Sequence, residues 1–89
     1  MIYIATHETP GVVQHITCYE NRTDLMLYAD AVTKSYADTD VGTRDTIDTI
    51  CHKLRDLGVG HGSRIHYRIS RREAELLVRG GVRGFGLPF

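Results

Sequence analysis

The side chains best suited to metal binding are scattered along this chain of 89 residues. Among five histidines and two cysteines, only Cys51, His52, His61 and His66 lie close together in sequence. Cys51 and His52 are neighbours in a predicted helix and therefore point in different directions. No C-x-x-C or H-x-x-x-H pair of the kind that holds zinc is present. We therefore expect no metal and no cofactor.

Catalytic patterns are also missing from the sequence. An acid–base or hydrolytic enzyme needs a nucleophile beside a base, or two convergent carboxylates, and the aspartates and histidines here follow no such spacing. The glycine-rich segment 58–62 follows a predicted helix end and lacks the lysine of a phosphate-binding loop. We therefore predict a protein that is not an enzyme.

Composition predicts one small globular domain. Apolar residues make up 42% and charged residues 25% of the chain, as is ordinary for a folded protein with a modest core. No apolar run is long enough to span a membrane and no secretory leader is recognisable, so we expect a soluble cytoplasmic protein with reduced cysteines. The domain is expected to cover residues 1–79, and residues 80–89 form a glycine-rich tail that is mobile unless its phenylalanines dock.

Charge is divided unevenly along the chain. Residues 1–45 carry a formal charge of −4 and residues 46–89 a charge of +4. If the fold separates the halves, the acidic side suits a basic partner. The alternative is that both sides are simply solvated.

Period-two patterns predict strands in the first part of the chain. Ile2–Ile4 and residues 12–20 have strand character, and the second segment buries Ile16 and Cys18 while Tyr19 points outward. The polar residues 21–24 are typical of a tight turn. Residues 25–32 alternate again, so they are predicted to complete a hairpin, followed by a possible short strand at 34–37 and an acidic loop at 38–40.

A helix is predicted from Ile47 to Leu57, with Thr43 or Asp45 as its N-cap and Gly58 as its end. The segment 63–79 allows two interpretations. Either residues 65–69 form a strand and Ser70 opens a short helix through a capping box, or the whole segment is one helix.

The predicted hairpin places aromatic and acidic side chains on one exposed sheet face. Tyr19, Tyr28 and Asp30 share that face, and Glu20 lies beside them. Tyrosines next to carboxylates are favoured at protein–protein contacts. The alternative is that helices cover this face and the tyrosines belong to the core.

Several segments of this chain resemble those of small phage-encoded anti-CRISPR proteins that inhibit the type I-F surveillance complex (Cascade). The similar segments are M-I-Y-I, C-Y-E-N, the strand ending at Asp30, Lys34-Ser35, G-H-G-S-R-I and I-S-R-R-E, in the same order over roughly residues 1–75. Each motif is short, and their shared order is what carries the resemblance.

The resemblance implies a four-stranded antiparallel sheet on two helices and no enzymatic activity. It implies binding to the backbone subunits of the crRNA-loaded complex, which prevents target DNA from pairing with the guide. Tyr19 and Asp30 match two contact positions of the family. A further family tyrosine has no counterpart, because Thr6 stands there and Tyr3 lies three residues earlier. The segment after Leu77 is also unmatched. The last segment of the family is helical, which favours the single helix over residues 63–79, although the alternation of residues 65–69 keeps the strand open.

We therefore expect an α+β fold with a small antiparallel sheet of three to four strands packed against two helices. The leading prediction is an anti-CRISPR protein, monomeric, cytoplasmic in the bacterial host and without direct nucleic-acid or membrane contact. Its contact residues are Tyr19, Glu20, Tyr28, Asp30 and Tyr3. The alternatives are a nucleic-acid-binding or regulatory protein that uses the arginine-rich second half, and an assembly protein that oligomerises through its sheet.

Overall fold

The computed structural model of the protein describes residues 1–36, 41–61 and 64–89. It confirms the α+β class. None of the described helices is long and apolar enough to cross a membrane. In chain order the elements are β1 (Ile2–His7), β2 (His15–Tyr19), α1 (Arg22–Tyr36), α2 (Ile47–His61), β3 (Ile65–Ile69), α3 (Arg71–Arg79) and β4 (Arg83–Phe85).

The strands form one mixed sheet in the order β3-β1-β2-β4. The central strand β1 is antiparallel to both of its neighbours, as predicted, whereas β4 runs parallel to β2. The sheet is therefore not purely antiparallel. After α3 the chain returns to the edge of the sheet formed by β2, and β4 runs there in the same direction as β2.

The sheet is covered on both faces, and successive residues of β1 point to opposite sides. On the α1/α2 face, Ile2 and Ile4 pack against the two long helices. On the α3 face, Tyr3 and Ala5 pack with side chains from β2, β3 and α3. The buried core on the α1/α2 face consists of Ile2, Ile4, Leu25, Ala29, Val41, Ile50, Cys51 and Leu54, and on the α3 face it consists of Tyr3, Ala5, Ile16, Ile69 and Ala74.

The predicted second hairpin strand is wrong, because residues 22–36 form helix α1. Asn21 does not make a hairpin turn but caps the helix: its side-chain Oδ1 accepts a hydrogen bond from the Asp24 backbone N–H at 3.0 Å. Leu25 and Ala29, four residues apart, then face the sheet, as Thr33 does one turn later. The strand predicted at 34–37 is helical up to Tyr36, while residue 37 and the acidic loop 38–40 lie outside the described residues.

Helix α2 is confirmed, with both ends corrected. Thr46 is the N-cap, since its hydroxyl accepts a hydrogen bond from the Thr49 backbone N–H at 3.1 Å. The carboxylate of Asp45 instead accepts hydrogen bonds from the Gly42 N–H at 2.8 Å and from Lys53 Nζ at 2.9 Å. Arg22 of α1 donates to the carbonyls of this loop, including that of Thr43 at 2.7 Å, and so ties the start of α2 to α1.

Gly58 does not end α2, which continues to His61. A Cβ atom at Gly58 would lie 2.5 Å from the carbonyl oxygen of Arg64 and 3.3 Å from the Cα of Ile65. The glycine is therefore required by the close approach of α2 to the start of β3 and not by a left-handed turn. Residues 62 and 63 of the predicted connector lie outside the described residues.

The strand-plus-helix interpretation of residues 65–79 is confirmed, and the single long helix is wrong. The Ser70 side chain caps α3 by accepting a hydrogen bond from the Glu73 N–H at 3.1 Å. At the other end, Gly81 adopts φ 99°, and the N–H of Val82 donates to the carbonyl of Leu77 at 3.0 Å. This is the Schellman arrangement that a glycine makes possible.

The C-terminal segment is docked on the sheet. Residues 83–85 form β4, and Leu87 packs in the core of the α3 face. Both phenylalanines contact aromatic side chains: Phe85 lies 5.5 Å from His15 and Phe89 6.2 Å from Tyr3, measured between ring centroids. The sequence predicted a mobile tail unless its phenylalanines dock, and both phenylalanines are docked.

Candidate protein-binding surface

Helix α1 determines where the predicted contact residues lie. In a helix, residues two apart are separated by roughly 200° around the axis. Tyr28 and Asp30 therefore point in different directions, although a strand would have placed them side by side. The predicted exposed sheet face that combines Tyr19, Tyr28 and Asp30 is wrong.

The two tyrosines do come together, but between α1 and the sheet. Their ring centroids are 5.8 Å apart, and both side chains are only partly exposed and pack against the core of the α1/α2 face. Burial raises the pKa of Tyr19 and also that of Tyr28. The alternative reading of the sequence, in which helices cover this face, therefore describes the tyrosine pair better.

Tyr28 is held by a histidine that sequence reasoning did not connect with it. Its hydroxyl lies 2.8 Å from Nε2 of His66, whose Nδ1 lies 3.2 Å from the backbone carbonyl of Arg64. A carbonyl only accepts, so Nδ1 carries the proton and Nε2 accepts the tyrosine hydroxyl. His66 is buried, and this burial lowers its pKa.

Asp30 lies on the outer side of α1 and forms an ion pair with Lys34 at 2.8 Å, one turn further along the helix. Glu20 is exposed just before the Asn21 cap. Tyr3 is separated from all of these residues. It lies on the α3 face with 4% of its surface exposed, so in this structure it is a core residue and not part of a surface.

An exposed leucine occupies the centre of the outer face of α1. Leu27 is a large apolar residue, yet 59% of its surface is exposed. Asp24 lies one turn before it and Asp30 about one turn after it, while Glu20 precedes the helix. We call Glu20, Asp24, Leu27 and Asp30 the α1 acidic surface. Because Asp30 pairs with Lys34, the net negative charge of the α1 acidic surface comes mainly from Glu20 and Asp24.

One sequence signal would have located this surface. The residues from Leu25 to Ala31 include no β-branched side chain and consist mainly of good helix formers such as Leu, Met and Ala. Together with Asn21 in an N-cap position, this composition favours a helix. On a helix, Leu25 and Ala29 face inward and Leu27 faces outward.

Metal and thiol chemistry gain no support from the structure. Within residues 1–36, 41–61 and 64–89, no group of three or more histidine, cysteine or acidic side chains is placed to hold a metal ion. Cys18 and Cys51 are free thiols and pack on opposite faces of the sheet. The side chain of His61, part of the candidate cluster in the sequence, lies outside the described residues.

No protein-family model, curated protein or solved structure matches this chain.

Proposed function

We propose that this protein is an anti-CRISPR inhibitor that binds the backbone subunits of a type I CRISPR–Cas surveillance complex and keeps target DNA from pairing with the guide RNA. The protein acts by stoichiometric binding, as a monomer in the cytoplasm of the bacterial host, without catalysis and without a cofactor. The resemblance of residues 1–75 to type I-F inhibitors suggests the target, and the α1 acidic surface supports a protein contact.

The observation that carries the proposal is the exposed Leu27 on α1, one turn after the exposed Asp24, with the exposed Glu20 just before the helix. An apolar side chain surrounded by charged groups has the layout of a binding surface, with an anchor that is desolvated in the complex and a polar rim. Subunits that hold a guide RNA present lysines and arginines to its phosphates. A carboxylate-bearing surface with an apolar centre complements such a partner in charge.

The proposed contact differs from the one that the resemblance implies. In the family the acidic contact residue lies on a strand, whereas Asp30 lies on α1 and is already paired with Lys34. The outer side of α1 therefore replaces the sheet face as the proposed contact surface, and Leu27 replaces Tyr19 as its centre. Tyr19 and Tyr28 support α1 from beneath, and Tyr3 takes no part.

Binding to an immobilised, purified type I-F surveillance complex tests the proposal, with target-DNA capture by the complex as the functional readout. Leu27→Asp should weaken binding by about 30-fold, since a hot-spot side chain contributes about 2 kcal/mol or more. Asp24→Lys should chiefly slow association. Asp30→Ala should have a smaller effect, because Lys34 already neutralises this carboxylate.

Leu76→Asp is the matched control. Leu76 is 53% exposed on α3, on the other face of the sheet, and its replacement should leave binding unchanged. A wild-type protein that does not bind the complex would refute the proposed function. Equal binding by wild type and Leu27→Asp would refute the surface while leaving the target in place.

A further inference from the structure

We propose that the β2–β4 edge of the sheet binds single-stranded nucleic acid, with the ring of Phe85 stacking on a base and the guanidinium of Arg83 contacting a phosphate. This site goes beyond the proposed function, is independent of it, and replaces the expectation that the protein makes no direct contact with nucleic acid. It uses other elements, and none of its residues belongs to the α1 acidic surface.

The parallel pairing of β4 with β2 creates this edge. The register sets His15 opposite Arg83 and Thr17 opposite Phe85, so the four side chains share the α1/α2 face of the sheet. The helices leave this part of the face open. Phe85 is 46% exposed, Arg83 is exposed, and His15 and Thr17 are partly exposed.

The ring of Phe85 is fixed in place and still accessible. Its centroid lies 5.5 Å from that of His15 at an interplanar angle of 79°, an edge-to-face contact. Such a contact occupies at most one face of the phenylalanine ring. The remaining exposed ring surface is a platform of the kind on which bases stack in proteins that bind single strands.

Phe89, in contrast to Phe85, has a ring that is already in contact with other side chains of the protein. Its exposure is similar, at 44%, but it packs against Tyr3, and the Cζ atom of Arg71 lies 5.9 Å from its ring centroid. That distance is within the range of a cation–π interaction. Arg71 is in turn paired with Glu75 at 3.1 Å, so the ring of Phe89 and the guanidinium of Arg71 both have partners within the chain.

The electrostatic surroundings of the β2–β4 edge favour an anion. Arg83 pairs with no carboxylate in the part of the chain that the structure describes, whereas Arg64 is paired with Glu8 at 3.2 Å. Burial lowers the pKa of His15, and the nearby positive charges of Arg64 and Arg83 lower it further. Arg83 thus gives this edge a positive charge that no carboxylate of the described residues neutralises, within a protein of zero net charge.

A single strand of nucleic acid fits this combination better than an acidic peptide does. Every base offers a flat face to an aromatic ring, and each nucleotide carries a phosphate for a guanidinium. Thr17 adds a hydroxyl beside the ring. A carboxylate-rich peptide would use Arg83 but would leave the ring of Phe85 without a partner.

Fluorescence anisotropy with end-labelled oligo-dT and oligo-rU of about 20 nucleotides tests the site, since one sheet-based site covers roughly 4–16 nucleotides. The full chain is titrated between about 50 and 200 mM salt. Phe85→Leu should weaken binding about tenfold, whereas Phe85→Tyr should preserve it. Arg83→Gln should reduce the slope of log affinity against log salt by about 0.7, the value for one phosphate contact on a single strand.

Phe89→Leu and Arg79→Gln are the matched controls and should bind like wild type, as should Leu27→Asp. Circular dichroism of each variant shows whether the fold is retained. The proposal is overturned if wild type binds neither oligonucleotide, or if Phe85→Leu and Arg83→Gln bind as wild type does. It is also overturned if a poly-glutamate peptide competes with the oligonucleotides at equal concentration of charge.

Discussion

The two faces of the sheet are covered by different means. Two helices of 15 residues each, α1 and α2, lie over one face. The other face is covered by the nine residues of α3 and by the C-terminal segment, which contributes side chains such as Leu87. A long helix covers a large part of a sheet face with side chains from one element. A short helix covers less, so the turn and the C-terminal segment that follow α3 have to contribute further side chains. Removal of a side chain from either face should show this difference.

The faces also differ in their buried polar groups. The α1/α2 face encloses His66 and Thr33, and each of these has a hydrogen-bond partner. On the α3 face the hydroxyl of Tyr3 is buried and has no partner among the described residues. Satisfied buried polar groups hold neighbouring elements in one arrangement. The hydroxyl of Thr33 donates to the Asp30 carbonyl of its own helix, so the polar contact that orients α1 is the one between Tyr28 and His66. The orientation of α3 depends on apolar packing and its caps.

The largest expected effect is loss of a core side chain from the α1/α2 face. Leu25→Ala, at a fully buried position, should lower the free energy of unfolding by about 3 kcal/mol, since it removes apolar contacts and leaves a cavity. Leu87→Ala, at a partly buried position on the α3 face, should cost about 1 kcal/mol. Urea titrations measure both values. Equal losses would show that the C-terminal segment is as important to stability as α1.

The next effect concerns the contact between α2 and β3. Gly58→Ala should destabilise the protein by about 2 kcal/mol, because the added methyl group would meet the backbone of Arg64. In an exposed helix the same change would stabilise by about 1 kcal/mol. Gly80→Ala is the control, since a methyl group there would approach only carbonyls of its own helix, at 3.5 Å. A stabilised Gly58→Ala variant would contradict the close approach.

The smallest effect tests the polar contact beneath α1. Because burial lowers the pKa of His66, the unfolded chain binds a proton at a higher pH than the folded chain. Stability from this group is present above the unfolded value of about 6.5 and is lost as pH falls through the lowered folded value. His66→Gln should reduce this loss on acidification, and urea titrations at several pH values measure it. His15 and Asp45, whose pKa values are also lowered in the folded protein, contribute to the dependence that remains.

Tyr28→Phe tests the hydrogen bond between Tyr28 and His66 separately from the protonation of His66. It leaves Nε2 of His66 without its donor and should cost about 1 kcal/mol at neutral pH. The unpaired nitrogen should also gain a proton more readily in the folded state, which brings the folded pKa of His66 closer to its unfolded value, so stability should fall less on acidification than it does in wild type. An unchanged stability of Tyr28→Phe would show that α1 does not depend on this contact.

Local signals determined several elements of this protein. The apolar stripe of α2 follows from its three- and four-residue spacing, and α3 follows from Ser70 at its start and the glycines at its end. The strands β1 and β3 follow from their alternating or β-rich composition. In each case the interactions that decide the conformation lie within a few residues of one another, although for residues 63–79 these signals left a strand followed by a helix and a single long helix both open.

Tertiary structure decided α1, β4 and therefore both proposed sites. Asn21 suits a turn or a cap, and although the composition of residues 25–31 favours a helix, the inward packing of Leu25 and Ala29 against the sheet decides that Leu27 turns outward. Residues 83–85 have no strand signal of their own and acquire order by pairing with β2, which lies more than sixty residues earlier in the chain. Long-range contacts of this kind leave no local pattern, because the stabilising partner is absent from the segment itself.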